Sequence, residues 1–333
     1  MVAHLVEAAP SDTVRPDPIL IVLAGPTASG KTSLSLHLAE RYNGEVVSCD
    51  SVAVYRDMEI GTAKPDKADR ERVPHHLIDV VDPTEPYTAG DYSRACRAAL
   101  SEIAARGRTP IVTGGTGLYL RALIDGLFAG PQRSESLRER LKLSDKRHGR
   151  GWLYQILMRL DPKSAERIHP NDKPKLIRAL EVCIAARQPM SHAWEQGREA
   201  LKGFRILRIG LEPDRDFLYQ RINKRAAAMF QNGLVEETRM LLEKYGEARP
   251  FDSLGYKQAR ALIRGDYREV DAVSLAQQGH RNYAKRQLTW FRRERDMYWL
   301  HGFGDEFRIR RKAVELIEQR LSEPAGQQLS ESL

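Results

Sequence analysis

The stretch Leu20-Ile21-Val22-Leu23-Ala24-Gly25-Pro26-Thr27-Ala28-Ser29-Gly30-Lys31-Thr32 decides the fold. An apolar run passes at once into G-x-x-x-x-G-K-T, and a helical pattern with Leu34 and Leu38 on one face follows. That is the strand–loop–helix context a phosphate loop requires. In such a loop backbone N–H groups and the helix N-terminus converge on one point and favour a polyanion. Gly25, Pro26, Thr27, Ala28, Ser29 and Gly30 form the cradle, Lys31 adds a mobile positive charge, and the Thr32 hydroxyl suits a magnesium ligand. The loop reports a di- or triphosphate and does not name the reaction.

Working outward, apolar strands and helical patterns alternate. Ile19–Ala24 is the first strand and Lys31–Arg41 the first helix. Glu45–Cys49 is a strand ending in Asp50-Ser51, and Leu77–Val81 is a further strand candidate. Asp91–Arg106 is helical, and Thr109–Thr113 is a strand running into Gly114-Gly115-Thr116-Gly117. This alternation predicts an α/β fold: a parallel sheet of the phosphate-loop NTPase kind, flanked by helices, with ligands at the carboxyl ends of its strands. Between residues 127 and 202 charge dominates and the long apolar patterns are helical (Trp152–Leu160, Leu176–Ala186), which predicts a helical insertion. Phe204–Leu211 is a returning strand, Asp214 caps a long helix carrying Leu218, Ile222 and Met229, and Met297–Leu300 is a last strand. The core is thus expected over residues 18–126 and 203–320, with a disordered arm over 1–17 and a flexible tail over 321–333.

Composition bounds the partners. The 333 residues include 53 Lys and Arg against 45 Asp and Glu, a formal charge of +8, which permits a nucleic-acid partner without requiring one. The three cysteines, Cys49, Cys96 and Cys183, are far apart, so neither a disulfide framework nor a zinc site is expected, and a reducing cytoplasm fits. No stretch approaches membrane-spanning length, and the first residues lack the basic start and apolar core of a secretory signal.

Several residues suggest chemistry. Asp50, at a strand end beside the phosphate loop, can ligate magnesium, accept a proton from an attacking group, or simply be a solvated strand-end Asp or a helix cap. The glycines around Thr116 let backbone approach a ligand, or mark a tight turn. Asp79 or Asp82 stands where phosphate-loop NTPases carry a magnesium aspartate, though the match is poor, and adjacent His75 and His76 lack a third metal ligand. Arg221 and Arg225 share a helix face and either could clamp a pyrophosphate opposite the loop. In HRNYAKRQLTWFRRER, Arg281, Lys285, Arg286, Arg292, Arg293 and Arg295 interleave with Tyr283, Trp290 and Phe291. That mixture suits an RNA backbone with stacked bases, or an ordinary amphipathic helix with its aromatics in the core.

Together these stretches resemble the tRNA dimethylallyltransferases, also called tRNA isopentenyltransferases. GPTASGKT at Gly25–Thr32 matches the family's loop. DSVAVYRDMEIGTAKP at Asp50–Pro65, PHHLIDVVDPTEPYTAGDY at Pro74–Tyr92, PIVTGGTGLYL at Pro110–Leu120, RALEV at Arg178–Val182, the helix around Arg221–Met229, SLGYKQ at Ser253–Gln258 and AKRQLTWFRR at Ala284–Arg293 follow in the family's order. The match spans roughly residues 17 to 300 and rests on several independent motifs. Ala53 stands where many members carry Gln, so that side chain offers only backbone or apolar contact. The zinc-finger extension of eukaryotic members is absent, and the chain looks like the compact bacterial form.

The resemblance implies transfer of a dimethylallyl group from dimethylallyl diphosphate to N6 of the adenosine 3′ of the anticodon in tRNA, with Mg2+ as cofactor and no hydrolysis of ATP. It makes Lys31, Asp50, Thr116 and Arg225 catalytic, with Asp50 as general base and Thr116 orienting the amine. The loop with Arg221 or Arg225 would bind diphosphate, and Thr32 would bind the metal. It assigns RNA contact to Asp50, Ser51, Val52, Ala53 and Thr116 at the flipped base, and to Arg138, Pro174, Lys175, Leu176, Ile177 and Arg178 at the anticodon stem. Asp252, Ser253, Leu254, Gly255, Tyr256, Lys257, Arg281, Lys285 and Arg286 would complete that surface. A cytoplasmic monomer is expected. Competing readings are an adenylate isopentenyltransferase, a phosphate-loop small-molecule kinase, and a nucleotide-regulated RNA-binding protein.

Overall fold

The structure, a computed structural model, describes residues 17–128, 130–195 and 197–322. The arm expected over 1–17, Asp17 excepted, and the tail beyond Ser322 lie outside the described residues. In chain order the elements are β1 (Ile19–Ala24), α1 (Lys31–Arg41), β2 (Gly44–Cys49), α2 (Lys67–Arg72), β3 (His75–His76), α3 (Ala89–Ala105), β4 (Thr109–Gly114), α4 (Gly117–Ile124), α5 (Glu135–His148), α6 (Trp152–Leu160), α7 (Pro162–Arg167), α8 (Lys173–Ala186) and α9 (Met190–Glu195). After these come β5 (Arg205–Leu211), α10 (Arg215–Gln231), α11 (Leu234–Tyr245), α12 (Tyr256–Ile263), α13 (Glu269–Phe291), β6 (Met297–Leu300) and α14 (Phe307–Ser322).

All the described strands run parallel, in the order β3-β2-β4-β1-β5-β6. Strands β1 and β2 are buried along their whole length, and β1 reads as a continuous apolar run, as a sheet covered on both faces requires. Ile21, Leu23, Ile209 and Leu211 pack with Leu34 and Leu38 of α1 and with Ile309, Ala313 and Ile317 of α14. Each fully buried leucine of α1 contributes roughly 2 kcal/mol. A second cluster gathers Met58, Met229, Phe230, Leu241, Phe251 and Tyr256, joining α10, α11, α12 and the start of α13.

Leu77–Val81 is not a strand. Leu77 and Asp79 have positive φ (59° and 58°), which breaks extended structure. Asp79 is held by Lys64 (2.5 Å) and Arg70 (3.0 Å), so only His75–His76 joins the sheet. Asp82 accepts from Arg56 (3.1 Å). His75 Nδ1 meets the Val73 carbonyl (2.7 Å) and His76 meets Glu45 (2.6 Å), so these groups serve structure.

The chain divides into two compact units, residues 121–201 and the remainder, and the division falls within α4, ahead of Leu127. The smaller unit is helical, with Leu141, Leu153, Leu157, Leu176, Ile177 and Leu180 at its centre. Asp161 caps α7 and also accepts from Ser191 N and Oγ (2.9 and 2.8 Å), which holds its carboxyl below the usual range despite burial. Cys49, Cys96 and Cys183 are buried and unpaired. No described helix is long and apolar enough to cross a membrane.

Candidate active site

Strand register assembles the site. Ala24 of β1 lies opposite Gly114 of β4, and Gly114 lies opposite Cys49 of β2. The residues that follow each strand, Gly25, Gly115-Thr116 and Asp50, therefore emerge side by side at one carboxyl edge. The phosphate loop turns into α1 at Gly30, whose φ of +85° and close approach to Gly304 (an added Cβ would lie 2.8 Å from its nitrogen) exclude a side chain.

Two cations converge on the loop. Lys31 Nζ donates to the carbonyls of Gly25 (3.0 Å) and Pro26 (2.7 Å). Arg225 Nη2 donates to Thr27 Oγ1 (2.6 Å). Burial, and then the neighbouring Arg225, bring the Lys31 ammonium down to about 7, while Asp50 acts in the opposite sense. Burial also lowers Arg225, and Asp50 offsets it. Two desolvated cations facing one carboxylate favour an incoming polyanion.

Arg221 does not join them. Its Nη1 bonds both carboxylate oxygens of Asp305 (2.8 and 3.0 Å), and its guanidinium lies 3.6 Å from the centre of the Phe303 ring. Of the two arginines expected to clamp diphosphate, only Arg225 reaches the loop, because the 40° offset between positions four apart points Arg221 toward the segment after β6.

Asp50 closes an Asx turn: its Oδ1 accepts from the amides of Val52 (2.8 Å) and Ala53 (3.2 Å). Among the described residues its Oδ2 accepts no hydrogen bond, which leaves that oxygen to take a proton. Thr116 is fixed from both sides: its amide donates to the Cys49 carbonyl (3.2 Å), and its Oγ1 accepts from Ser51 N (3.1 Å). Helix α13 closes the site. Tyr283 lies beside Thr116, and burial followed by the Asp50 charge pushes its phenol well up. His280 is buried beside Arg225, and burial brings it down to about 4, so it is neutral at physiological pH. Gln287 accepts from Thr27 N (2.8 Å) and donates to the Gly115 carbonyl (2.9 Å).

The sequence pattern of α13 did not single out Gln287 or His280. The i, i+4 spacing of Tyr283 and Gln287 was the available signal, but the basic residues around them drew the reading toward solvent. The aromatics of α13 are correspondingly internal: Phe291 is buried, Tyr283 and Trp290 are half-buried, and stacking of bases on Phe291 is ruled out. Lys285 and Arg286 are exposed, and Arg281 bonds Asn223 Oδ1 (2.5 Å).

The expected RNA surface needs further correction. The side chains of Leu176, Ile177 and Tyr256 are 1%, 5% and 0% exposed and belong to cores, so they cannot reach RNA. Gly255 is also buried, and Ser253 and Leu254 are half-buried. Arg138 and Arg178 both bond the buried Glu181 (3.2 and 2.8 Å), compensating its charge, and Arg178 keeps about a third of its side chain exposed (34%). Pro174, Lys175, Asp252 and Lys257 are exposed. Ala53 is buried, with its amide bonded to Asp50 (3.2 Å) and its carbonyl accepting from Asp79 N (3.2 Å). No three His, Cys, Asp or Glu side chains gather as a metal cluster among the described residues. A cavity of about 610 Å³ is lined by Ile60, Lys64, Arg225 and Met229.

The sequence model of IPP transferases matches residues 53–294, and that of isopentenyl transferases matches residues 18–83. The chain belongs to the IPP transferase family. It is 62% identical to the tRNA dimethylallyltransferase of Koribacter versatilis over 91% of this chain and 99% of that one. It is 50% identical to the enzyme of the same name from Solibacter usitatus, again over 91% and 99%. Among solved structures of the IPP transferase family, the full-length tRNA isopentenylpyrophosphate transferase of Bacillus halodurans is similar with a TM-score of 0.66 at 36% identity, covering 91% of this chain and 98% of that one. A eukaryotic dimethylallyltransferase captured acting on tRNA gives a TM-score of 0.78 at 29% identity, over 93% and 81%.

Proposed function

We propose that the chain transfers the dimethylallyl group of dimethylallyl diphosphate to N6 of the adenosine on the 3′ side of a tRNA anticodon, releasing diphosphate. The observation that carries this reading is the placement of an anion cradle and a carboxylate oxygen at the ends of β1 and β2, the two strands that flank β4, with Thr116 at the end of β4 between them. The names of the relatives support it, as does the eukaryotic relative captured acting on tRNA.

The chemistry follows from the groups. As diphosphate leaves an allylic carbon, negative charge builds on its oxygens. Loop amides, Lys31 and Arg225 face that charge already oriented, and donors preorganised in this way are worth about 3 kcal/mol each. The N6 amine is a weak nucleophile because its lone pair is delocalised into the ring, so it must lose its proton as it attacks. Asp50 Oδ2 receives that proton, and Thr116 orients the amine. A base stacked in an anticodon loop is out of reach, so the adenine is flipped toward the backbone of Ser51, Val52 and Ala53. Exposed Pro174, Lys175, Asp252, Lys257, Lys285 and Arg286, and the exposed third of Arg178, contact the RNA.

The Thr32 hydroxyl is exposed in the first turn of α1. That hydroxyl would suit magnesium, which needs few protein ligands when a substrate supplies phosphate oxygens, and Thr32 would hold it. Bound there, magnesium would neutralise charge on the departing diphosphate. The reading places the enzyme with its RNA in the cytoplasm.

The test is transfer from dimethylallyl diphosphate to whole tRNA, an anticodon stem-loop or AMP. Isopentenyl-adenosine is expected in both RNAs and not in AMP. Modification of AMP alone would convert the reading to an adenylate isopentenyltransferase, and no product with any acceptor would overturn it.

A further inference from the structure

One side chain ties the two halves of this site together. Gln287 is 5% exposed and sits over Gly115, where an added Cβ would lie 2.0 Å from its Nε2. Its partners dictate the orientation of its amide: Thr27 N can only donate and the Gly115 carbonyl can only accept. The same helix face places Tyr283 one turn earlier, near Thr116 and Asp50, and Trp290 over Gly117, where an added Cβ would lie 2.2 Å from the indole. Thr27 is the loop residue whose hydroxyl Arg225 holds. Gly115 precedes the threonine that fixes Ser51, next to Asp50. A rigid path of hydrogen bonds therefore runs from the cradle through Gln287 to the loop that orients the nucleophile.

We propose that Gln287 is a positioning residue that sets the separation between the diphosphate cradle and the Asp50–Thr116 pair, and so holds the allylic carbon within attacking distance of the amine. The proposal rests on the transferase reading above. Gln287 touches neither substrate. Its effect belongs in turnover rather than in binding, because a misplacement of about 1 Å costs up to about a hundredfold in rate while each substrate keeps its own contacts.

Gln287→Met tests this. The thioether matches the length of the side chain and adds no charge beside the cradle, but it cannot donate to the Gly115 carbonyl and is at best a weak acceptor for Thr27 N, so the bridge is lost. The expected result is a fall in kcat of about ten- to a hundredfold, with pyrophosphate and tRNA dissociation constants within about threefold of wild type. Gly115→Ala attacks the same bridge from its other end, through the 2.0 Å approach, and is expected to show the same split. A kcat within twofold of wild type in both variants would overturn the proposal. So would parallel losses of kcat and of both affinities, since those report a collapsed site. Wild-type turnover measured alongside tests the transferase reading separately.

Discussion

Arg221 and Arg225 differ by one helical turn and by their task. Arg225 spends its charge on the phosphate loop through Thr27, and among the described residues no carboxylate is bonded to it. Arg221 is neutralised by Asp305 in a two-oxygen pair about 42% exposed on each side, the kind of contact that contributes little to stability and nothing to an anion elsewhere. Arg225→Ala is therefore expected to lower kcat/KM for dimethylallyl diphosphate by about a hundredfold, whereas Arg221→Ala stays within about threefold. Steady-state kinetics on both variants with saturating tRNA checks the contrast, and equal losses would return Arg221 to the cradle.

Among the elements, α11 and α12 shape the segment that follows Asp50. Glu237 of α11 is buried, and its carboxylate accepts from the amides of Glu59 (3.2 Å) and Ile60 (2.9 Å) and from the Tyr256 hydroxyl (2.5 Å). The same hydroxyl accepts from Gly61 N (3.2 Å), and Gly61 lies flat against the tyrosine ring. A buried carboxylate is tolerable here because backbone donors and one phenol satisfy it. Tyr256→Phe removes one of those donors and leaves the Gly61 amide with only its longer bond to Glu237 Oε1 (3.5 Å). It is expected to cost about 1–3 kcal/mol, read as a lower urea midpoint with an unchanged m-value. Equal midpoints would mean that the carboxylate is satisfied without the phenol. SLGYKQ was legible as a motif but not as a core element, because a tyrosine between glycine and lysine has no periodicity of its own to place it inside.

For the whole molecule, acid is the informative perturbant. His280 titrates near 6.5 when unfolded and at about 4 when folded. Between those values the unfolded chain binds more protons, so stability rises with pH and is lost as pH falls through that window. By pH 5 the loss attributable to His280 is roughly 2 kcal/mol relative to pH 7.5. Unfolding free energies of wild type and His280→Gln at the two pH values should differ in their change by about that amount. Parallel changes would show that the imidazole is not held neutral by its surroundings.

The local features of this protein were readable without its fold. A glycine-rich turn between an apolar strand and a helix declares a phosphate loop, and a carboxylate at the next strand end declares a partner for it, because both depend on neighbours in sequence. Periodicity likewise located α10 and assigned it an inner face. It could not say which arginine of α10 meets the loop, that Gln287 would span Thr27 and Gly115, or that LIDVVD would turn away from the sheet. Those outcomes depend on how each helix is rotated and shifted against a distant strand. Only the packed chain sets that rotation, through contacts between residues far apart in sequence.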